Sequence, residues 1–215
     1  MAWEKDKRKQ PLARASSHKV RIAGGLWKRT PLAVADVAGL RPTPERVRET
    51  LFNWLAHLRG NIFSQMKCLD LFAGTGALGF EAASRGVAQV TMIEENTKAY
   101  SQLQLVKEKL GAGQITLVHA DAVKIAGEFI RAGKQFDLIF LDPPFKKDLL
   151  PLILPNCIKL LTNDGLIYIE SHQKINEQTL CLWETADVPS LQIIRVGQAG
   201  QVYYHLLEMK AGCAS

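Results

Sequence analysis

Residues 67–86 read KCLDLFAGTGALGFEAASRG, and the order of side chains within them decides the fold. KCLDLF is a short apolar run carrying one acid, as in a strand buried on both faces. Gly74, Gly76 and Gly79 then form a G-x-G-x-x-G, and the apolar residues around them predict a helix that stops at Gly86. A strand, a glycine loop and a helix in that order let backbone approach a ligand and aim free N–H groups at it. The strand and helix alternation continues downstream. AQVTMIE (88–94), QITLVHA (114–120), QFDLIFLD (135–142) and GLIYIES (165–171) predict four further strands. TKAYSQLQLVKEKLG, DAVKIAGEFIRAG and LLPLILPNCIKLL predict the helices between them, the last entered or bent at Pro151 and Pro155. Such units of about 30 residues build a parallel sheet covered on both faces.

The end of the chain changes rhythm. LQIIRVG (191–197) and QVYYHLLEM (201–209), joined by a short link containing glycine, predict an antiparallel hairpin. The expected architecture is therefore α/β and Rossmann-like, with seven mostly parallel strands and the antiparallel hairpin at one edge. Ahead of the sheet, VRIAGGLWKRTPLAV predicts a small hairpin turned at Gly24 and Gly25. RPTPERVRETLFNWLAHL predicts an amphipathic helix with Thr43 as N-cap and Pro44 in its first turn. Val47, Leu51, Trp54, Leu55 and Leu58 recur at helical spacing and should face the main domain, leaving Arg46 and Arg48 available on other faces. Residues 1–18 are expected to form a flexible basic tail, 19–60 an N-terminal unit packed on the core, and 61–215 the main domain.

Composition narrows the function classes. A chain of 215 residues, 47% apolar and 22% charged, suits one larger single-core domain. It has no run of about 18 apolar residues and no hydrophobic signal core in MAWEKDKRKQ, so a cytoplasmic protein is the default. Cys68, Cys157, Cys181 and Cys213 are scattered, which suggests neither a disulfide framework nor a zinc site. The net charge of +6 is uneven: residues 1–60 hold 13 Lys and Arg against 5 Asp and Glu, and the remainder 14 against 16. A basic arm on a near-neutral body suits contact with a phosphate backbone, where each neutralised phosphate releases counterions. For residues 1–18 alone a solvated, disordered tail is the better account of the charge.

The glycine loop alone fits a dinucleotide as well as other nucleoside cofactors. Glu94, 20 residues after Gly74, can accept ribose hydroxyls in either case. Asp70 separates the two, because a carboxylate beside the loop would repel a pyrophosphate but suits the α-ammonium group of S-adenosylmethionine. Asp121, after the third strand, can meet an adenine amino group or cap the next helix. Asp142, Pro143, Pro144 and Phe145 follow the fourth strand and share its rim with Gly74 and Glu94. An exocyclic base amine is a poor nucleophile until acceptors take its N–H hydrogens and turn its lone pair towards the methyl donor. Asp142 and a carbonyl of the Pro-Pro turn can do so, with Phe145 stacked on the base and the prolines adding no competing N–H. Lys146 and Lys147 can hold phosphates or be ordinary surface. The sulfonium is already a strong leaving group, so no metal is required.

LDLFAGTGALGFEAASRG, the acid in MIEEN, HADA and FDLIFLDPPF resemble the class I S-adenosylmethionine-dependent methyltransferases of exocyclic amines. RIAGGLWKRTPL, LRPTPERVRETLFNWL and the late AGQVYYHLLE narrow the resemblance to the RsmD family, which methylates guanine N2 in small-subunit ribosomal RNA, over residues 20 to 208. It implies a cofactor site from Asp70, Phe72, Gly74, Gly76, Glu94, Asp121 and Ala122, and catalysis by Asp142, Pro143, Pro144 and Phe145. It further implies RNA contacts from Arg21, Lys28, Arg29, Arg41, Arg46, Arg48, Lys146 and Lys147, with Arg46 or Arg48 closing over the cofactor. The implied partner is 16S rRNA in an assembled or nearly assembled small subunit, met by a monomer. Other readings are adenine N6 methylation in RNA or DNA, a nicotinamide-dependent oxidoreductase and a non-catalytic RNA-binding protein.

Overall fold

The computed structural model describes residues 20–35, 37, 40–144 and 148–210. The chain first makes a two-stranded antiparallel ribbon, β1 (Val20–Arg21) with β2 (Pro31–Leu32), and then helix α1 (Glu45–Arg59). The alternating region follows as β3 (Lys67–Asp70), α2 (Ala77–Ser84), β4 (Gln89–Glu94), α3 (Thr97–Leu110), β5 (Ile115–His119), α4 (Ala122–Arg131), β6 (Phe136–Leu141), α5 (Leu150–Lys159) and β7 (Leu161–Ser171). Helix α6 (Glu177–Trp183) leads into the hairpin β8 (Leu191–Ala199) and β9 (Val202–Met209). The seven strands of the main sheet lie in the order β5-β4-β3-β6-β7-β9-β8. The first five are parallel and the hairpin is antiparallel, as the sequence predicts.

Alternation along the strands builds the core. Cys68, Phe140, Tyr168 and Leu206 face one side of the sheet, where α1, α2 and α3 pack. Leu69, Ile139, Leu141, Ile169 and Leu207 face the other, under α4, α5 and α6. Val47, Leu51 and Leu55 of α1 are buried in the first cluster with Val20, Ile22 and Leu32 of the N-terminal ribbon, and Trp54 and Leu58 pack against it. The chain order reverses between β4 and β6, on either side of β3, and opens a crevice beyond the C-terminal ends of the strands.

Three local details differ from expectation. Strand β7 begins at Leu161, four residues before the apolar run, because Phe136 pairs with Leu161 before the register shifts. Helix α6 follows Asn176, whose side chain accepts from Thr179 N, but its seven residues are too few to show a clear period. Thr43 does not cap α1: Pro44 holds that position, and the Thr43 hydroxyl instead donates to Glu170 Oε1 at 2.8 Å.

Candidate active site

A cavity of about 660 Å³ opens at the C-terminal rim of β3, β4, β6 and β7. Asp70, Phe72, Gly74, Glu94, Ala122, Asp142, Pro143 and Pro144 line it. Gly76 and Asp121 stand outside its lining, each next to residues that form it. Phe145, Lys146 and Lys147 lie outside the described residues, as does the basic segment 1–18. A second cleft, of about 530 Å³, lies at the opposite end of β7 between Arg59, Asp164, Glu208 and Lys210. There neither the glycine loop nor the C-terminal end of a parallel strand contributes.

The glycine loop owes its course to backbone that a side chain would not tolerate. Gly74 and Gly76 have φ of 53° and 77°, and a Cβ on Gly76 would stand 2.5 Å from Phe80 Cδ2. Glu94 braces the loop across the sheet: Oε2 accepts from Gly74 N at 2.8 Å and Oε1 from Asn96 N at 2.7 Å. Its remaining lone pairs stay available for ribose hydroxyls. Asp121 caps α4 by accepting from Lys124 N at 2.9 Å.

Asp70 is the telling member of this half of the cavity. It is only 1% exposed, with Oδ2 accepting from Gly79 N at 3.1 Å and Oδ1 buried without a hydrogen-bond partner among the described residues. Burial raises its pKa to about 7, against the nearby backbone amides of Phe72 and Gly79, which pull it down. An orphaned carboxylate oxygen in the wall of a cavity is costly unless a ligand cation meets it. The α-ammonium group of S-adenosylmethionine would fit that requirement, the glycine loop would let backbone approach the nucleoside, and Glu94 would offer a hydroxyl acceptor.

The other half gathers Asp142, Glu170, Thr43 and Arg41. Burial raises the Asp142 carboxyl well above its ordinary range, and Glu170 and Asp70 raise it further, while Arg41 and the Thr43 hydroxyl act the other way. Glu170 is raised by burial, against hydrogen bonds from Thr43 and Tyr168 and the charges of Arg41 and Arg48. Sequence reasoning missed Glu170. Its signal was present in GLIYIES, where the one acid of an apolar strand falls at the same C-terminal rim as Asp142.

Of the basic residues expected at RNA, Arg21, Lys28, Arg29, Arg41 and Arg46 are exposed, and Arg41 also lines the cavity. Arg48 is not available. It is 1% exposed, donates from Nη1 to the Thr43 carbonyl and from Nη2 to the Arg21 carbonyl, and its Nε stands 3.5 Å from Glu81 Oε2. At that distance the Glu81 contact is charge attraction at the far limit of a hydrogen bond. Glu81, itself fully buried, also accepts from Ala23 N, Gly24 N and Arg85 Nε at 2.7–2.8 Å. Arg48 thus ties the N-terminal ribbon, the Thr43 turn and α2 together instead of meeting RNA or closing over a cofactor.

The chain is similar to known proteins over most of its length. Residues 20–207 match the family model described as Conserved hypothetical protein 95. The chain is 40% identical to Ribosomal RNA small subunit methyltransferase D of Escherichia coli strain K12, over 92% of this chain and 93% of that protein. The chain belongs to the RsmD family of class I, S-adenosylmethionine-dependent methyltransferases. A further member, Ribosomal RNA small subunit methyltransferase D of Haemophilus influenzae, is 38% identical over 72% of this chain and 79% of its own length. Among solved structures, a putative methyltransferase yhhF from Escherichia coli superposes with a TM-score of 0.70 at 37% identity, covering 90% of this chain and 99% of that one. In this RsmD-family chain the motif acids Asp70, Glu94 and Asp142 stand around one cavity, and no helix among the described residues is long and apolar enough to cross a membrane.

Proposed function

We propose that this chain transfers a methyl group from S-adenosylmethionine to the exocyclic N2 of one guanine in 16S rRNA. The substrate particle is the assembled or nearly assembled small ribosomal subunit, and the protein acts as a monomer in the cytoplasm. The observation that carries the proposal is that Asp142 and Asp70, whose Oδ1 has no hydrogen-bond partner among the described residues, line one cavity at the sheet rim. The cofactor supplies an electrophilic sulfonium methyl; everything else comes from the chain. Asp70 and Glu94 hold the amino-acid and ribose ends, while Gly74 and Gly76 let backbone close on the nucleoside. Asp121, which caps α4, and the neighbouring Ala122 border the adenine. Asp142 accepts one N2–H and a carbonyl of the Pro143–Pro144 turn the other, which directs the lone pair towards the methyl group. Phe145 completes this group as the ring on which the base stacks. The raised proton affinity of Asp142 suits it to take the proton that leaves N2 after transfer.

The division of labour belongs to the same proposal. Residues 19–60 present RNA through Arg21, Lys28, Arg29, Arg41 and Arg46, with Lys146 and Lys147 at the catalytic turn, and residues 61–215 perform the transfer. Family relatives bearing the name Ribosomal RNA small subunit methyltransferase D support the choice of substrate. The test is transfer of label from S-adenosylmethionine to small subunits that lack the modification, followed by mapping of the labelled nucleoside. Label is expected on guanine N2, and Asp142→Ala should abolish it while cofactor binding survives. Label on adenine, on DNA or on protein would overturn the proposal.

A further inference from the structure

Asp142 and Glu170 are neighbours by construction of the sheet. Leu141 of β6 pairs with Ile169 of β7, so one residue further on Asp142 stands beside Glu170, with the strands about 4.8 Å apart. Phe140 and Tyr168, two residues earlier, share the face of α1, and the period of two returns Asp142 and Glu170 to that face. Tyr204 of β9 continues the same row beside Glu170. Asp142, Glu170 and Tyr204 all line the cavity.

The two oxygens of Glu170 differ. The Thr43 hydroxyl donates to Oε1 at 2.8 Å and the Tyr168 hydroxyl to the same Oε1 at 2.9 Å. None of the hydrogen bonds among the described residues ends on Oε2. Two hydroxyl donors on one oxygen hold the side chain in one orientation and oppose the rise in pKa that burial imposes on it. The result is a fixed acceptor beside the proposed catalytic acid, on a residue 4% exposed that the transfer itself does not use.

We propose that Glu170 reads the target base: its Oε2 accepts the N1–H of guanine while Asp142 accepts an N2–H, so the two carboxylates together select guanine. This inference rests on the guanine N2 reading above. Guanine presents N1–H and N2–H donors side by side on its Watson–Crick edge. Adenine presents an amino group next to an N1 lone pair, which would face the Glu170 carboxylate unpaired. 2-Aminopurine keeps the 2-amino group, replaces the N1–H with a lone pair and lacks O6, so the response of the preference to Glu170→Gln is what assigns it to the N1 contact. The variant Glu170→Gln inverts it. Thr43 and Tyr168 would hold the amide oxygen at the Oε1 position, which leaves the amide NH2 facing the base, a donor suited to a lone pair and opposed to N1–H.

The experiment compares small subunits reconstituted around rRNA carrying guanine or 2-aminopurine at the mapped target. The wild-type protein should prefer guanine by roughly tenfold to a hundredfold in kcat/KM, the discrimination expected of one fully desolvated polar contact. Glu170→Gln should bring the ratio within about threefold or reverse it, at unchanged cofactor affinity. A wild-type ratio near one would overturn the inference while leaving N2 methylation standing, and that measurement needs no variant to fold. A large ratio that Glu170→Gln leaves unaltered would overturn it as well. Absence of methyl on N2 of either base would overturn the guanine reading and this inference with it.

Discussion

Replacing Arg48 with Met tests whether this arginine is a structural tie or a contact for RNA. Met fills much of the space of the aliphatic stem, so the perturbation is the loss of the guanidinium rather than of packing. Removing one member of a buried ion pair costs about 3–5 kcal/mol where the other charge is left uncompensated. Glu81 would not be left so, because Arg85 Nε and the Ala23 and Gly24 amides still bond to it. The Thr43 and Arg21 carbonyls, by contrast, would lose the Arg48 donor. These two effects place the cost at the low end, about 3 kcal/mol, which in a chain of this size lowers Tm by roughly 6–12 °C. Urea denaturation and thermal melting of Arg48→Met beside Arg46→Ala measure it. The exposed Arg46 should cost under about 0.5 kcal/mol and instead weaken RNA binding, with a salt dependence reduced by about one phosphate contact. A loss below about 1 kcal/mol for Arg48→Met, or equal losses for the two variants, would refute the reasoning.

Asp70 gives a prediction in pH. Its folded pKa of about 7 lies above the ordinary 3.8, so the folded state binds the proton more tightly. The associated stability is therefore full below about pH 4 and is lost as pH rises towards 7. Between pH 5 and 8 the free protein should lose about 2–3 kcal/mol more than Asp70→Asn, and S-adenosylmethionine should recover more of it at pH 8 than at pH 5. Parallel stability curves for the two proteins would contradict this assignment of Asp70. Gly76→Ala should destabilise by at least about 2 kcal/mol and weaken cofactor binding, since its φ of 77° and the 2.5 Å approach to Phe80 both oppose a side chain. Calorimetric titration with the cofactor checks it, and an unchanged affinity would count against the loop assignment.

What was legible in the sequence was whatever period and glycine placement alone determine. Five apolar runs separated by helical ones specify a parallel sheet because neither face can be left to water, and Gly74 and Gly76 mark a backbone that no other residue enters easily. Asp70, Glu94 and Asp142 were legible because strand ends of a parallel sheet fall on one rim, so a carboxylate at each such end is brought to the same crevice. The misreadings share a cause. Arg48 and Thr43 were assigned from their own helix, by facing and by capping preference, yet their partners are Glu81 and Glu170, 33 and 127 residues away in the chain. Local rules count exposure as the default for an arginine, and only the tertiary fold brings a buried carboxylate and the Thr43 and Arg21 carbonyls within its reach. Glu170 fell between the two kinds of inference. Its position was given by the sheet, but its role depends on two hydroxyls from different elements fixing one of its oxygens. The N-terminal unit therefore does more than offer positive charge: through Arg48 on the Thr43 carbonyl and Thr43 on Glu170, it shapes the wall of the cavity.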